Sequence, residues 1–327
     1  MKKTAKGSLV SILVPVYNES PNILEFYFRM TRVMSQTGYR YEMVFINDGS
    51  RDDTLDKLYS LRDKDQRVKI IDLSRNFGKE IAMTAGLDHC RGDAVIPIDA
   101  DLQDPPEVIP ELIAKWEEGY EVVYATRTRR DGETLLKKAT AHLFYRFVKR
   151  LTPIPIPKDT GDFRLMSRKV VDALKQLREQ HRFMKGLFSW VGFRQTSVTY
   201  RREPRYAGRT KFNYWKLWNF AVEGITSFSF MPLQVATYLG FGISLFAIAF
   251  ALYLFTSTLL YGNPVPGYPS LMVTVLFLGG VQLTTLGVIG EYIGRIYNES
   301  KRRPLYFVQG KAGLEDGKEI SRLEGVN

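Results

Sequence analysis

The chain has 327 residues, a formal net charge of +11 and a single cysteine, Cys90. This length exceeds one compact core and leaves room for a globular domain with an anchor. A single cysteine excludes an intrachain disulfide, a redox pair and a Cys/His zinc site. The positive charge favours an anionic partner, which could be nucleic acid, anionic lipid or a phosphorylated small molecule.

Strands and helices alternate along the N-terminal part of the chain. Apolar, β-branched runs predict strands at Leu9–Val16, Tyr41–Asn47, Val68–Leu73, Ala94–Ile98 and Val122–Thr126. Helical periodicity predicts helices at Pro21–Thr37, from a cap at Asp52, Asp53 or Thr54 to about Lys64, and at Lys79–Cys90. This alternation predicts an α/β fold with a Rossmann-like, mostly parallel, right-handed sheet and helices on both faces.

Polar clusters follow the predicted strands. They are Tyr17-Asn18-Glu19, Asn47-Asp48-Gly49-Ser50, Ser74-Arg75-Asn76 and the acidic run Asp99 to Asp104. Ligands of such sheets bind at the carboxyl ends of the strands, so these clusters are expected to converge on one cleft.

The acidic run contains Asp99-Ala100-Asp101-Leu102-Gln103 directly after an apolar strand. Two carboxylates at a rigid strand end supply hard oxygen ligands for a divalent cation, and Gln103 adds a third oxygen. The alternative is a solvated acidic turn or a helix N-cap. Asp104-Pro105-Pro106 makes a separate helix start, so Asp99 and Asp101 are not needed as caps.

Two further polar motifs have both a functional and a structural interpretation. Asp48 is either an ordinary β-turn residue or an acceptor for a base or ribose. Arg75 to Lys79 opens a helix whose N–H groups and Lys79 charge suit an anion, although an ordinary helix start also explains the motif. The chain has no Gly-x-Gly-x-x-Gly after a strand and no Gly-Lys-Ser/Thr loop, which argues against dinucleotide oxidoreductases and P-loop ATPases.

The C-terminal half carries a long uncharged region between Glu223 and Glu291. Within it, Leu233–Leu260 and Leu271–Ile289 are each long enough to cross a hydrocarbon core of about 30 Å. Two buried helices of a soluble core are the alternative, but uncharged runs this long seldom occur in soluble cores. A basic stretch after Arg127 and the Trp-containing stretch Tyr214–Phe230 are typical of amphipathic helices lying at headgroup level.

Basic residues flank both spans, while the loop between them has no charge. The positive-inside bias therefore places the globular domain and both termini in the cytoplasm. The predicted divisions are a globular domain at 1–210, a juxtamembrane amphipathic helix at 211–231, transmembrane helices at 232–261 and 270–294, and a basic tail at 295–327.

The ordered motifs resemble a known family. They are Pro15 to Glu19, Asn47 to Ser50, Arg75 to Lys79, Asp99 to Gln103, Asp159 to Arg164 and Arg209 to Phe212. Together they are similar to family 2, GT-A fold glycosyltransferases of the polyprenyl-phosphate branch, more so to bactoprenol glucosyltransferases than to dolichol-phosphate mannose synthases. The resemblance runs from Ser8 to about Gln309. Gly161-Asp162-Phe163-Arg164 replaces the Ser-Gly-Phe-Arg of mannose synthases, so the donor sugar cannot be carried over from them.

This resemblance implies roles for individual residues. Those expected around the nucleotide sugar are Pro15, Tyr17, Glu19, Asp48, Asn76, Lys79, Asp99, Arg127 and Lys211. Asp99, Asp101 and Gln103 are expected around Mg²⁺ or Mn²⁺. The residues expected to act in catalysis are Asp101, Asp159, Asp162 and Arg209. A cation at Asp101, together with Arg209, would stabilise the departing diphosphate. Asp159 or Asp162 would position the acceptor or remove its proton, or else Asp162 is a structural carboxylate paired with Arg164.

The resemblance also implies a reaction and its partners. The donor is a UDP-sugar, with UDP-glucose favoured, and the acceptor is undecaprenyl or another polyprenyl phosphate at the cytoplasmic leaflet of a bacterial inner membrane. Inversion at the sugar is expected, and nucleic acid is not. Alternatives are mannose, aminoarabinose or N-acetylhexosamine as the donor sugar, or a membrane-anchored sugar-nucleotide sensor or scaffold without turnover. Small residues in the spans permit a homo-oligomer and equally permit packing within one chain.

Overall fold

The computed structural model describes residues 7–127, 160–203, 206, 231–261 and 267–314. Its strands are β1 (Leu9–Val16), β2 (Arg40–Asn47), β3 (Val68–Leu73), β4 (Ala94–Pro97), β5 (Val122–Arg127), β6 (Thr160–Ser167), β7 (Gln195–Tyr200) and β8 (Val308–Ala312). Its helices are α1 (Ile23–Thr37), α2 (Thr54–Lys64), α3 (Lys79–His89), α4 (Ile109–Glu117), α5 (Arg168–Gln176), α6 (Met184–Trp190), α7 (Met231–Tyr261) and α8 (Tyr268–Ser300).

One sheet contains all eight described strands, in the order β7-β5-β6-β4-β1-β2-β3-β8. The segment β4-β1-β2-β3 is parallel throughout. Strand β6 is antiparallel to both β4 and β5, and β8 is antiparallel to β3. The predicted α/β sheet is confirmed, and the structure adds β6, β7 and β8, which the sequence did not predict.

Apolar side chains cover both faces of the sheet. On one face, Ile12 belongs to a cluster with Phe26 of α1 and Leu112 of α4. On the other face, Leu13 packs with Met83 of α3. Successive residues of a strand point to opposite faces, so β1 supplies both layers, which explains its unbroken apolar sequence. Burying each such side chain stabilises the fold by about 1.5–3 kcal/mol.

The two C-terminal helices are long and apolar enough to cross a membrane, over Leu233–Tyr261 and Val273–Ser300. No part of either apolar stretch is buried among the described residues, which is unlike the core helices of a soluble protein. Large side chains such as Phe241, Leu259 and Leu283 are exposed on them. Exposed apolar surfaces of this kind mark sites of contact with a protein or a membrane.

The segment after these helices differs from the predicted basic tail at 295–327. Helix α8 continues to Ser300, beyond the predicted end at residue 294. The chain then returns to the sheet, where β8 pairs with β3 in the register Ile70↔Ala312. The predicted amphipathic helices before the spans lie outside the described residues.

Candidate active site

Two loops at the carboxyl ends of β1 and β2 are joined by hydrogen bonds. The Asp48 N–H donates to the Val16 carbonyl over 2.9 Å. The Asn18 N–H donates to Ser50 Oγ over 2.9 Å, and the Glu19 N–H donates to Thr54 Oγ1 over 3.0 Å. Asn18 has φ +52°, a left-handed conformation that asparagine tolerates better than most residues. These two joined loops form one wall of the candidate site. The predicted nucleotide-binding residues Pro15, Tyr17 and Glu19 lie at or beside this wall, and all three are partly exposed.

Asp48 fastens this wall to the loop before α3. Its two carboxylate oxygens accept the N–H groups of Phe77 at 2.7 Å and Gly78 at 2.9 Å. Asn76 Nδ2 donates to the Asp48 carbonyl over 3.2 Å. Asp48 is only 3% exposed, and burial raises its pKa although both N–H bonds lower it. In this structure the Asp48 carboxylate orders the loop, while its predicted contact with a base or ribose stays a prediction.

Lys79 joins two carboxylates at the carboxyl edge of the sheet. Its Nζ lies 2.6 Å from Asp99 Oδ1 and 2.7 Å from Asp162 Oδ2. Asp99 follows β4 in the chain and Asp162 lies on β6, so the lysine bridges neighbouring strands. Burial lowers the pKa of Lys79, but the two carboxylates outweigh burial and raise it overall. Lys79 was predicted to serve an anion; here its partners belong to the chain itself.

The turn after Asp99 brings Asp101 and Gln103 together. Asp101 is 7% exposed, and its Oδ1 accepts the Gln103 N–H over 3.1 Å. Leu102 between them has φ +59°, a strained conformation for leucine. The Gln103 amide oxygen accepts a hydrogen bond from Arg202 over 2.7 Å. That oxygen has a second lone pair, so the bond to Arg202 does not prevent it from acting as a ligand.

The oxygen donors near Lys79 suit a hard cation. Asp162 Oδ1 is buried and has no hydrogen-bond partner. Orphaned buried carboxylate oxygens are costly, and a divalent cation would satisfy one. Among the described residues no group of three His, Cys, Asp or Glu side chains is placed to hold a metal. A cation here would therefore need further oxygens beyond those carboxylates.

Charged side chains surround Asp162. Burial raises the Asp162 pKa, but the positive charges of Lys79 and Lys185 outweigh it and hold the pKa at about 2. Arg164 donates to the backbone carbonyls of Gly161 at 2.8 Å and Asp162 at 3.3 Å. The Asp162 carboxylate thus pairs with Lys79, not with Arg164 as the structural alternative supposed.

Glu80 is another of these charged side chains and was not singled out from the sequence. Its Oε2 accepts the Met184 N–H over 3.1 Å, which joins α3 to α6. Burial and the Asp162 carboxylate raise the pKa of Glu80 to about 8. Its place beside Lys79 in the first turn of α3 was the available signal in the sequence.

Arg127, predicted to lie near phosphate, is held at the end of β5. Its Nε donates to the Tyr200 hydroxyl over 3.2 Å, and its guanidinium lies 3.9 Å from Asp104 Oδ1. The Tyr200 hydroxyl in turn donates to Asp104. A Cβ on Gly161 would lie 3.1 Å from the Arg127 guanidinium, so a glycine there leaves this group room. The predicted residues Asp159, Arg209 and Lys211 lie outside the described residues.

Known proteins similar to this chain define its class. A sequence model described as glycosyl transferase family 2 matches residues 11–175. An uncharacterised glycosyltransferase of Synechocystis is 58% identical over 94% of this chain and 96% of its own length. The chain therefore belongs to glycosyl transferase family 2, and it is a glycosyltransferase.

A second relative has a name that states a more specific activity. The bactoprenol glucosyl transferase of Shigella phage SfV is 51% identical over 92% of this chain and 98% of its own length. The predicted resemblance to this branch is confirmed. Among solved structures, glucosyl-3-phosphoglycerate synthase of Mycobacterium tuberculosis matches with 16% identity and a TM-score of 0.44, over 67% of this chain and 78% of that one. A TM-score this low supports no argument about function.

Proposed function

We propose that the protein transfers one glucose from UDP-glucose to undecaprenyl phosphate at the cytoplasmic leaflet of a bacterial inner membrane. The observation that carries the proposal is the 51% identity with a bactoprenol glucosyl transferase over 92% of the chain. The apolar helices agree with a lipid acceptor, because a polyprenyl chain resides in the bilayer. Basic residues on both sides of the spans support a cytoplasmic domain at 1–210 and cytoplasmic termini.

The donor binds, in this proposal, along the carboxyl edge of the sheet. Pro15, Tyr17 and Glu19 form the base and ribose wall, and Asp48 keeps the loop that carries Asn76 in place. Asp99, Asp101 and Gln103 hold Mg²⁺ or Mn²⁺. When bound, the cation supplies positive charge to the departing diphosphate. Arg127, Arg209 and Lys211 add basic groups near the phosphates.

The reaction is a single in-line displacement. An oxygen of the acceptor phosphate forms a bond to sugar C1 as the bond from C1 to the diphosphate oxygen breaks, and the electron pair leaves with UDP. The acceptor is largely dianionic near pH 7, since its second pKa is about 6, so it needs little help from a base. Attack opposite the leaving group inverts C1 and gives a β-linked product from an α-linked donor.

The charge of Asp162 bears on its role in this step. Because its cationic neighbours lower its pKa, Asp162 is a poor acceptor for a proton that the acceptor phosphate holds at a pKa of about 6. A lasting negative charge at this place suits positioning of the acceptor through its cationic neighbours better than proton removal. Asp159 therefore becomes the first candidate for a base that removes the remaining proton from the monoanionic form of the acceptor.

The test measures transfer of radiolabel from a panel of UDP- and GDP-sugars into organic-extractable lipid. Undecaprenyl phosphate is supplied, with and without Mn²⁺, to the native chain and to Asp101→Ala. We expect label from UDP-glucose only with Mn²⁺, and a fall of roughly 100-fold or more in the variant. Asp56→Ala is the control, since Asp56 is exposed on α2.

Other outcomes have distinct meanings. Label from another sugar would change the donor and keep the mechanism. Nucleotide binding without lipid label from any donor would replace the enzyme proposal with a sensor or scaffold. Equal activity in Asp101→Ala would remove Asp101 from the cation site.

A further inference from the structure

We propose that Lys79 is an exchangeable internal cation. Its ammonium holds Asp99 and Asp162 together before the donor arrives, and it leaves this place for the diphosphate when a divalent cation binds. The inference rests on the proposed metal-dependent transfer and adds a residue that sets cation affinity and the order of events in the site.

The first support is geometric. Lys79 Nζ lies within 2.7 Å of both Asp99 oxygens and 2.7 Å from Asp162 Oδ2. Two oxygens of Asp99, just after β4, and one of Asp162, on β6, therefore converge on one point, and an ammonium has three N–H donors to satisfy them. Convergence of hard oxygens on one point is also what a divalent cation requires.

Charge supplies the second support. One ammonium lies between the two carboxylates of Asp99 and Asp162, so the trio carries a net charge of −1. Two carboxylates this close repel each other unless a cation lies between them. Removal of the ammonium leaves about −2, which a divalent cation neutralises. Asp162 Oδ1, without a hydrogen-bond partner, adds an oxygen that the ammonium does not satisfy.

Accessibility is the third support. The side chain of Lys79 is 42% exposed, compared with 34% for Asp99 and 15% for Asp162. The lysine is thus the most accessible member of the trio, and its flexible stem lets the ammonium move without a change in the backbone. It is also the first residue of α3, and the N-terminus of a helix favours anions. A phosphate brought in with the cation offers Lys79 a replacement for the carboxylates it gives up.

The test is direct titration of the purified full-length chain in detergent with Mn²⁺, with free Mn²⁺ followed by electron paramagnetic resonance. Lys79→Met and Lys79→Gln remove the competing charge and should bind Mn²⁺ more tightly, on the order of tenfold. Lys79→Arg keeps the charge and should stay within about twofold of the native chain. Lys115→Met removes a lysine paired with Glu118 at 2.8 Å on α4 and is the matched control.

Addition of UDP separates exchange from simple repulsion. If the ammonium moves to the diphosphate, UDP should raise the Mn²⁺ affinity more in the native chain than in Lys79→Met. Binding by Lys79→Met alone, with none by the native chain, would also support competition at this point.

Equal or weaker Mn²⁺ binding by both neutral variants would overturn the inference and leave Lys79 a fixed structural ion pair. The proposed transfer would then still stand on the lipid-label experiment. Absence of Mn²⁺ binding in every variant, with lipid label formed without added metal, would overturn the inference and the metal dependence while keeping the transferase.

Discussion

Gly49 lies where two loops of the site touch. Its φ is +66°, and a Cβ built on it would lie 2.6 Å from both the Arg75 carbonyl carbon and the Asn76 nitrogen. These are backbone atoms, which cannot move aside as a flexible side chain can. The Asp48 turn and the loop before α3 can therefore approach this closely only because Gly49 has no side chain.

Gly49→Ala should destabilise the domain and weaken UDP binding. Gly38→Ala is the matched control, because Gly38 has φ +71° but no atom within 4 Å of its Cβ position. Left-handed strain costs about 1–2 kcal/mol in both variants, and the backbone overlap adds about 1–3 kcal/mol in Gly49→Ala. Urea unfolding and UDP titration measure the two effects. Equal losses in both variants would show that the contact with Arg75 and Asn76 is unimportant.

The roles of individual residues were harder to predict from the sequence than their positions. Asp48, Lys79 and Asp99 all follow strand ends, as the alternation of elements required. Their partners, however, come from distant parts of the chain, since Lys79 meets Asp162 only because β6 returns beside β4. A local sequence motif does not encode such a long-range contact. The sequence therefore predicted an anionic partner for Lys79 but could not indicate that Asp162 lies beside it.

At the scale of elements, predictability followed apolar periodicity. The strands β1 to β3 are buried on both faces and read as continuous apolar runs, so their bounds were close to those observed. Strand β8, with sequence Val-Gln-Gly-Lys-Ala, has little apolar character and follows a basic segment. Its strand conformation comes from pairing with β3, which is a tertiary contact that local preference does not encode.

Val308→Asp tests the pairing of β8 with β3. Val308 packs against the core cluster on the α3 face, whereas the adjacent Gln309 is exposed. We expect Val308→Asp to lower the free energy of unfolding by roughly 1–3 kcal/mol. Each kcal/mol corresponds to a fall of about 2–4 °C in Tm. Gln309→Asp introduces the same charge on the other face and should change the Tm little. Similar Tm values for both variants in detergent would show that the β8 contact contributes nothing.

At the scale of the whole molecule, the helices α7 and α8 separate the last strand of the sheet from the other seven described strands. The proposed arrangement puts the sheet in the cytoplasm and the residues between α7 and α8 on the opposite side of the membrane. Single introduced cysteines can test this, because native Cys90 is 2% exposed and burial raises the pKa of its thiol. A buried, protonated thiol reacts slowly.

Asn263→Cys should react with a membrane-impermeant maleimide in intact spheroplasts. Glu118→Cys lies on an exposed position just after α4 and should react only after permeabilisation. The native chain is the control for Cys90. Labelling of Glu118→Cys in intact spheroplasts would place the sheet on the wrong side of the membrane and remove the cytoplasmic donor from the proposal.

The return of β8 also imposes an order on synthesis. A ribosome completes β1 to β7 before either apolar helix emerges, but β3 keeps an unpaired edge until residues 308–312 follow both helices. An open edge strand invites pairing with other chains. The sheet therefore gains its last described strand only after both helices have been made, and β3 is an edge strand until then. A chain with the complete described sheet has therefore already produced both apolar helices, which are the anchor in the proposed arrangement.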